Sequence, residues 1–146
     1  MSRTISLTSA VLSTILASGA AGMVFIQQAG IPGSPVFPLP FLVLLEWALL
    51  SIAGAIYVSL AELRADGRQL QGAWAIVGAY IPLILLSAAS IGPIALVCAI
   101  LLLAPTIFVT MRFGSPILRQ LGILVIGAIV NLMMLFALIG IDTIVR

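Results

Sequence analysis

From Gly72 to Met111, about 40 residues, the chain carries no charged side chain. A single helix of that length would reach ~60 Å, about twice the hydrocarbon thickness of a bilayer. The run must therefore fold back on itself. The break falls in SAASIGP (Ser87–Pro93), where Gly92-Pro93 supplies both a turn and a residue suited to restarting a helix. This one stretch predicts two antiparallel apolar helices, at 73–89 and 93–111.

Three further apolar runs predict helices at 5–27, 40–61 and 118–141. Composition decides where such helices live. The chain is 63% hydrophobic and only 7% charged, where a soluble domain carries about 25% charged residues. Its few ionisable groups cannot wet the surface of a globule this apolar, so the solvent has to be a bilayer. The expected fold is an all-α integral membrane protein over residues 1–146: one bundle of five transmembrane helices with no soluble domain. Arg3 followed by a small-residue Ser18-Gly19-Ala20 also resembles a cleaved secretory leader. The apolar stretch runs on through Met23-Val24-Phe25-Ile26, however, and that length favours a membrane helix.

The loops orient the bundle. Under alternating topology Arg3, Arg64, Arg68, Arg112 and Arg119 fall on one side, and only Arg146 falls on the other. By the positive-inside rule the N-terminus is cytoplasmic and the C-terminus outside. Arg64 and Arg68 suit contact with lipid phosphates. Trp74 is expected to anchor at the cytoplasmic interface. Asp142 and Arg146 are expected to be wet and weakly paired at the outer end. The 28–39 segment has Pro32, Pro35 and Pro38 and is expected to be stiff and extended over the outer face.

Packing is expected on small residues, because lipid offers no hydrophobic drive between helices. The first helix has Ser9, Ser13, Ala17 and Ala21 at four-residue spacing, with Ser18 and Gly22 beside them. The second has Ala48, Ser51, Ala55 and Ser59 on one face. Pro82 and Pro105 each remove a backbone hydrogen bond inside a helix.

Glu46 is the odd residue, in PLPFLVLLEWALLSIAGAIY. It lies ~7.5 Å from the middle of the second helix, well within a hydrocarbon half-thickness of ~15 Å. A charge there costs ~2.5–3.5 kcal/mol, so the neutral acid is the cheaper form. On its face stand Leu42, Leu50, Ala53 and Tyr57, opposite the small stripe. Asn131 is the candidate partner, in a sparse polar line on the fifth helix with Gln120, Leu124, Gly127, Leu135, Leu138 and Asp142. Glu46, Asn131 and Tyr57 are the candidate intramembrane polar site.

Other chemistry is scarce. The chain has no His and one Cys, Cys98, so His-ligated haem, the usual zinc sites and a Ser-His-Asp triad are excluded. No nucleophile–base pair, phosphate loop or metal-ligand cluster is evident, and GSP occurs twice only as turn chemistry. No Lys and scattered Arg residues give no nucleic-acid surface. The expected function is a non-catalytic accessory, assembly or stabilising subunit of a larger membrane complex. The alternative is an oligomeric proton- or cation-coupled transporter or channel using Glu46. Partners are the bilayer and intramembrane proteins or further copies of the chain. The grooves between helices suit a lipid-soluble cofactor or pigment, such as a quinone, carotenoid or chlorophyll; a pigment metal would need Asn131, Gln27, Gln28 or water. Short loops suggest a prokaryotic inner membrane.

Overall fold

The computed structural model describes residues 3–32, 39–64, 67–87 and 92–145, with the side chains of Arg3 and Val145 outside that description. These residues form five helices: α1 (Arg3–Ala29), α2 (Leu39–Arg64), α3 (Gly67–Leu86), α4 (Gly92–Arg112) and α5 (Ile117–Val145). All five are long and apolar enough to span a membrane, and no strand occurs among the described residues. Half of the proline-rich 28–39 connection, residues 33–38, lies outside the described residues, as do residues 88–91 of the Ser87–Pro93 break, Asp66 and Arg146.

Except at the end of α3, which stops at Leu86 rather than 89, the helices overrun the apolar stretches that predict them. The largest shift is in α3, which begins at Gly67 rather than at 73 and ends at Leu86. Hydropathy marks only the part of a helix that must be dry. Here packing continues further, since Ala61, Leu70, Trp74 and Val109 form a small buried cluster at the arginine-bearing end. The charged stretch read as a loop is therefore mostly two helix ends.

The element contacts give a rhombus with an attachment. α1 packs on α2 and α4; α3 also packs on α2 and α4, which meet across the short diagonal. α5 lies outside this unit, packed broadly on α3 and lightly on α2. The core of the rhombus is made by Ala10, Ala17, Trp47, Val58, Tyr80, Leu83, Cys98 and Leu102. On α2 the core face carries Trp47, Ser51, Gly54 and Val58, while Ala48, Ala55 and Ser59 stand at its edge, half-buried. On α1, Ser13, Ala17 and Ala21 are buried and Ser9 half-buried, but Ser18 and Gly22 are exposed.

Small hydroxyls do more here than save space. Pro105 sits inside α4 and has no N–H for the carbonyl of Leu101, one turn earlier. Ser9 Oγ on α1 donates to that same carbonyl at 2.6 Å. Ser13 Oγ donates to Cys98 O at 3.0 Å, one turn along. Thr14 Oγ1 donates to Ser51 O on α2 at 3.1 Å. The α1 stripe is thus a row of donors laid along the backbones of its neighbours.

α5 attaches by another route. A Cβ placed on Gly127 would run into the backbone carbonyl of Ala75 on α3, and one on Gly78 would run into the carbonyl of Leu124 on α5. The two backbones touch, and only glycine permits it. At the other end of α4, Gly114 takes the left-handed conformation (φ 61°). Its N–H reaches Met111 O, and Ser115 N–H reaches Thr110 O at 3.2 Å, closing α4 with a Schellman turn.

Four outcomes test this packing. Gly78→Ala or Gly127→Ala should lower stability in detergent by about 1–3 kcal/mol, the usual range for overpacking. Gly19→Ala, where nothing lies within 4 Å of the added carbon, should be neutral or stabilising by up to ~1 kcal/mol. Ser9→Ala should cost about 1–2 kcal/mol by orphaning Leu101 O. In a Pro105→Ala background, where the helix supplies its own N–H, that cost should shrink. Denaturant titrations in detergent micelles measure all four.

Candidate functional site

Glu46 stands on the side of α2 that turns away from α1. It is 7% exposed, and Asn131 on α5 is 4% exposed. The structure places the Asn131 side chain beside the Glu46 carboxyl. The contact does not satisfy the carboxyl. Both of its oxygens are buried without a hydrogen bond of normal geometry among the described residues. Asn131 Nδ2 is held instead by Ala79 O on α3, at 2.5 Å.

That bond explains why Asn131 is placed where it is. Pro82 in α3 takes away the N–H that Gly78 O would accept. The Asn131 amide reaches the next carbonyl along. One α5 residue therefore serves α3 and faces α2, at the junction of three helices.

Beside Glu46 a groove of about 370 Å³ runs between α2 and α5, lined by Leu42, Leu45, Glu46, Leu49, Leu50, Ala53, Met134 and Leu138. Apart from the carboxyl its lining side chains are apolar. Tyr57 is not part of it. Its ring packs on Gly72 of α3, eleven residues and ~16 Å along α2 from Glu46. Sharing a helical face does not mean sharing a site.

The polar line of α5 turns inward. Gln120, Gly127, Asn131, Leu135 and Asp142 are all buried, and α3 is the helix α5 packs on. Asp142, expected to be wet, is only 7% exposed, because it shares the packed face of α5.

A second polar centre escapes the sequence reading. Tyr80 on α3 is fully buried. Its hydroxyl hydrogen-bonds Ser51 Oγ of α2, and Ser13 of α1 and Trp47 of α2 lie beside it. Cys98 of α4 is adjacent. Four helices thus meet around one phenol. The available signal was the phenol itself, since a Tyr in the middle of an apolar span needs a partner for its O–H.

Two charged-end residues also differ from expectation. Trp74 is 2% exposed and gives its Nε1–H to Thr110 Oγ1 of α4 at 2.8 Å. It is an internal tie, not an interfacial anchor. Glu62, taken for a loop charge, is buried; its Oε1 meets Arg112 Nη1 at 3.4 Å. Arg112 also lies 5.9 Å from the centre of the Phe113 ring. The pair joins the ends of α2 and α4. Of the other arginines, Arg64, Arg68 and Arg119 are exposed. Gln27 is exposed and Gln28 half-buried at the far end of α1. Among the described residues no three His, Cys, Asp or Glu side chains gather as a metal site.

Asn131→Leu should remove both the tie to Ala79 and the neighbour of Glu46. A loss of stability of about 0.6–1.7 kcal/mol is expected, the range for interhelical hydrogen bonds in membranes. Tyr57→Leu should not change the response to an Asn131 substitution, and a double-mutant cycle measures this independence. Compared with protein-family models, with curated proteins and with solved structures, the chain matches none.

Proposed function

We propose that this chain is a non-catalytic intramembrane bundle that works by contact, as an accessory, assembly or stabilising subunit of a larger membrane complex. The observation that carries this reading is the use made of α5's polar residues. A transport path needs polar groups facing a shared space. Gln120, Asn131 and Asp142 instead lie on the packed face of α5, where Gly127 rests on the α3 backbone. The hydroxyls of Ser9, Ser13, Thr14, Thr106 and Thr110 go to backbone carbonyls. That spending on structure supports a scaffold rather than a reaction centre.

The outward side of α5 supports the same reading. Ile126, Val130 and Met133 are 60%, 61% and 69% exposed, giving a broad apolar face to lipid or to a partner helix. Arg64, Arg68, Arg112 and Arg119 gather at one end of the bundle. By the positive-inside rule that end is cytoplasmic and the N-terminus lies with it, in a prokaryotic inner membrane. The second reading, an oligomer coupled to protons or cations, draws on the unsatisfied Glu46 carboxyl beside an open groove.

Gentle detergent extraction of the tagged native protein, followed by native mass analysis and an absorbance spectrum, separates the two. Co-purification at defined stoichiometry with larger membrane subunits is the expected result. A bare monomer or homo-oligomer would overturn the subunit reading. Proton flux in liposomes that falls in Glu46→Gln would then favour the second.

A further inference from the structure

Glu46 brings two oxygens into a wall that is otherwise hydrocarbon. α2 spans Leu39–Arg64, so the carboxyl lies ~8 Å from the middle of its helix and ~7 Å inside the edge of the hydrocarbon layer. At that depth the neutral acid is the form that avoids the cost of a buried charge. A neutral acid presents one carbonyl oxygen, an acceptor, and one O–H, a donor.

The bundle leaves both unanswered among the described residues. Asn131 stands beside the carboxyl, but the bond its amide N–H makes is to Ala79 O on α3. Neither carboxyl oxygen completes a normal hydrogen bond among the described residues, so the O–H is left without an acceptor. On its other side is the groove of about 370 Å³ between α2 and α5. That volume lies within the range of small-molecule sites, roughly 300–1,000 Å³. Met134 stands in the wall beside it, an unbranched side chain that repacks easily around a guest.

We propose that the α2–α5 groove binds a lipid-soluble carbonyl compound of the quinone type. Its apolar body lies against Leu49, Ala53 and Leu138, and its carbonyl oxygen accepts the Glu46 O–H. The depth argues for this class over phospholipid. Ester carbonyls of phospholipids sit near the edge of the hydrocarbon, ~15 Å from the midplane, and so ~7 Å short of Glu46. A molecule dissolved in the hydrocarbon has no such restriction. This site is independent of any protein partner, and its test needs none.

The probe is a decyl-tailed benzoquinone titrated into the full chain in phospholipid nanodiscs. Two readouts are followed: binding above that of empty discs, and the infrared carbonyl stretch of the protonated carboxyl. Saturable binding at one per chain is expected, with a shift of that band. Glu46→Leu should weaken binding at least about tenfold, the worth of a buried hydrogen bond, and should abolish the band. Glu46→Gln keeps an N–H donor and should fall between. Leu49→Trp fills the groove from an exposed position without touching the carboxyl and should weaken binding as strongly. It stands in for Glu46→Leu if that variant does not fold, as judged by helicity and gel filtration. No saturable binding, or equal affinity in wild type and Glu46→Leu, would overturn the proposal. So would a band that moves on adding phospholipid to the detergent-solubilised chain and moves no further with quinone.

Discussion

Water does not reach the middle of an apolar bundle to repair a missing hydrogen bond, so a polar atom there is stabilised mainly by a partner within the protein. Much of this structure follows from that constraint. Pro105 opens a carbonyl in α4, and Ser9 of α1 closes it. Pro82 takes an N–H away from α3, and Asn131 of α5 binds at that turn. The carbonyl freed by Pro105 therefore fixes the height at which α1 meets α4. Interhelical bonds of this kind are worth only about 0.6 kcal/mol on average in membranes. Their larger effect is on register, because a slip of one residue would leave both a donor and an acceptor unmatched.

α3 is the element that converts these local repairs into a fold. It packs on α2, α4 and α5, and most of its side chains from Leu70 to Leu83 are buried. Its two sides use different means. Toward α2 and α4 it presents Tyr80 and Trp74, large rings with one polar atom each that binds a hydroxyl. Toward α5 it presents Gly78 and Ala75, which let backbone meet backbone. The first side is matched by shape and hydrogen bonding, the second by the absence of side chains.

How much of this can be read from the sequence depends on the physics involved. Five helices are legible because hydrocarbon thickness sets a length that apolar runs must meet. Helix ends are less so, since Leu70 and Glu62 are buried by packing outside the apolar runs. The α1 stripe is legible as small residues at four-residue spacing, but not as donors to named carbonyls, which needs the partner helix. Glu46 and Asn131 are recognisable as polar residues at similar depth. Tyr57 fails because a helical face says nothing about distance along the axis. Gly78 and Gly127 are ordinary glycines until the crossing point of two helices is known.

The peripheral place of α5 has a consequence for how the molecule is made. A membrane chain is synthesised from its N-terminus, so α1 to α4 are available before α5 exists. Those four already form the closed rhombus with its Tyr80 centre. Until α5 arrives, the Glu46 side of α2 and the Pro82 turn of α3 face lipid with no Asn131 to cover them. Docking of the last helix is then the step that takes two polar defects out of the hydrocarbon at once, and an unfinished bundle carries on its flank a mark that the finished one lacks.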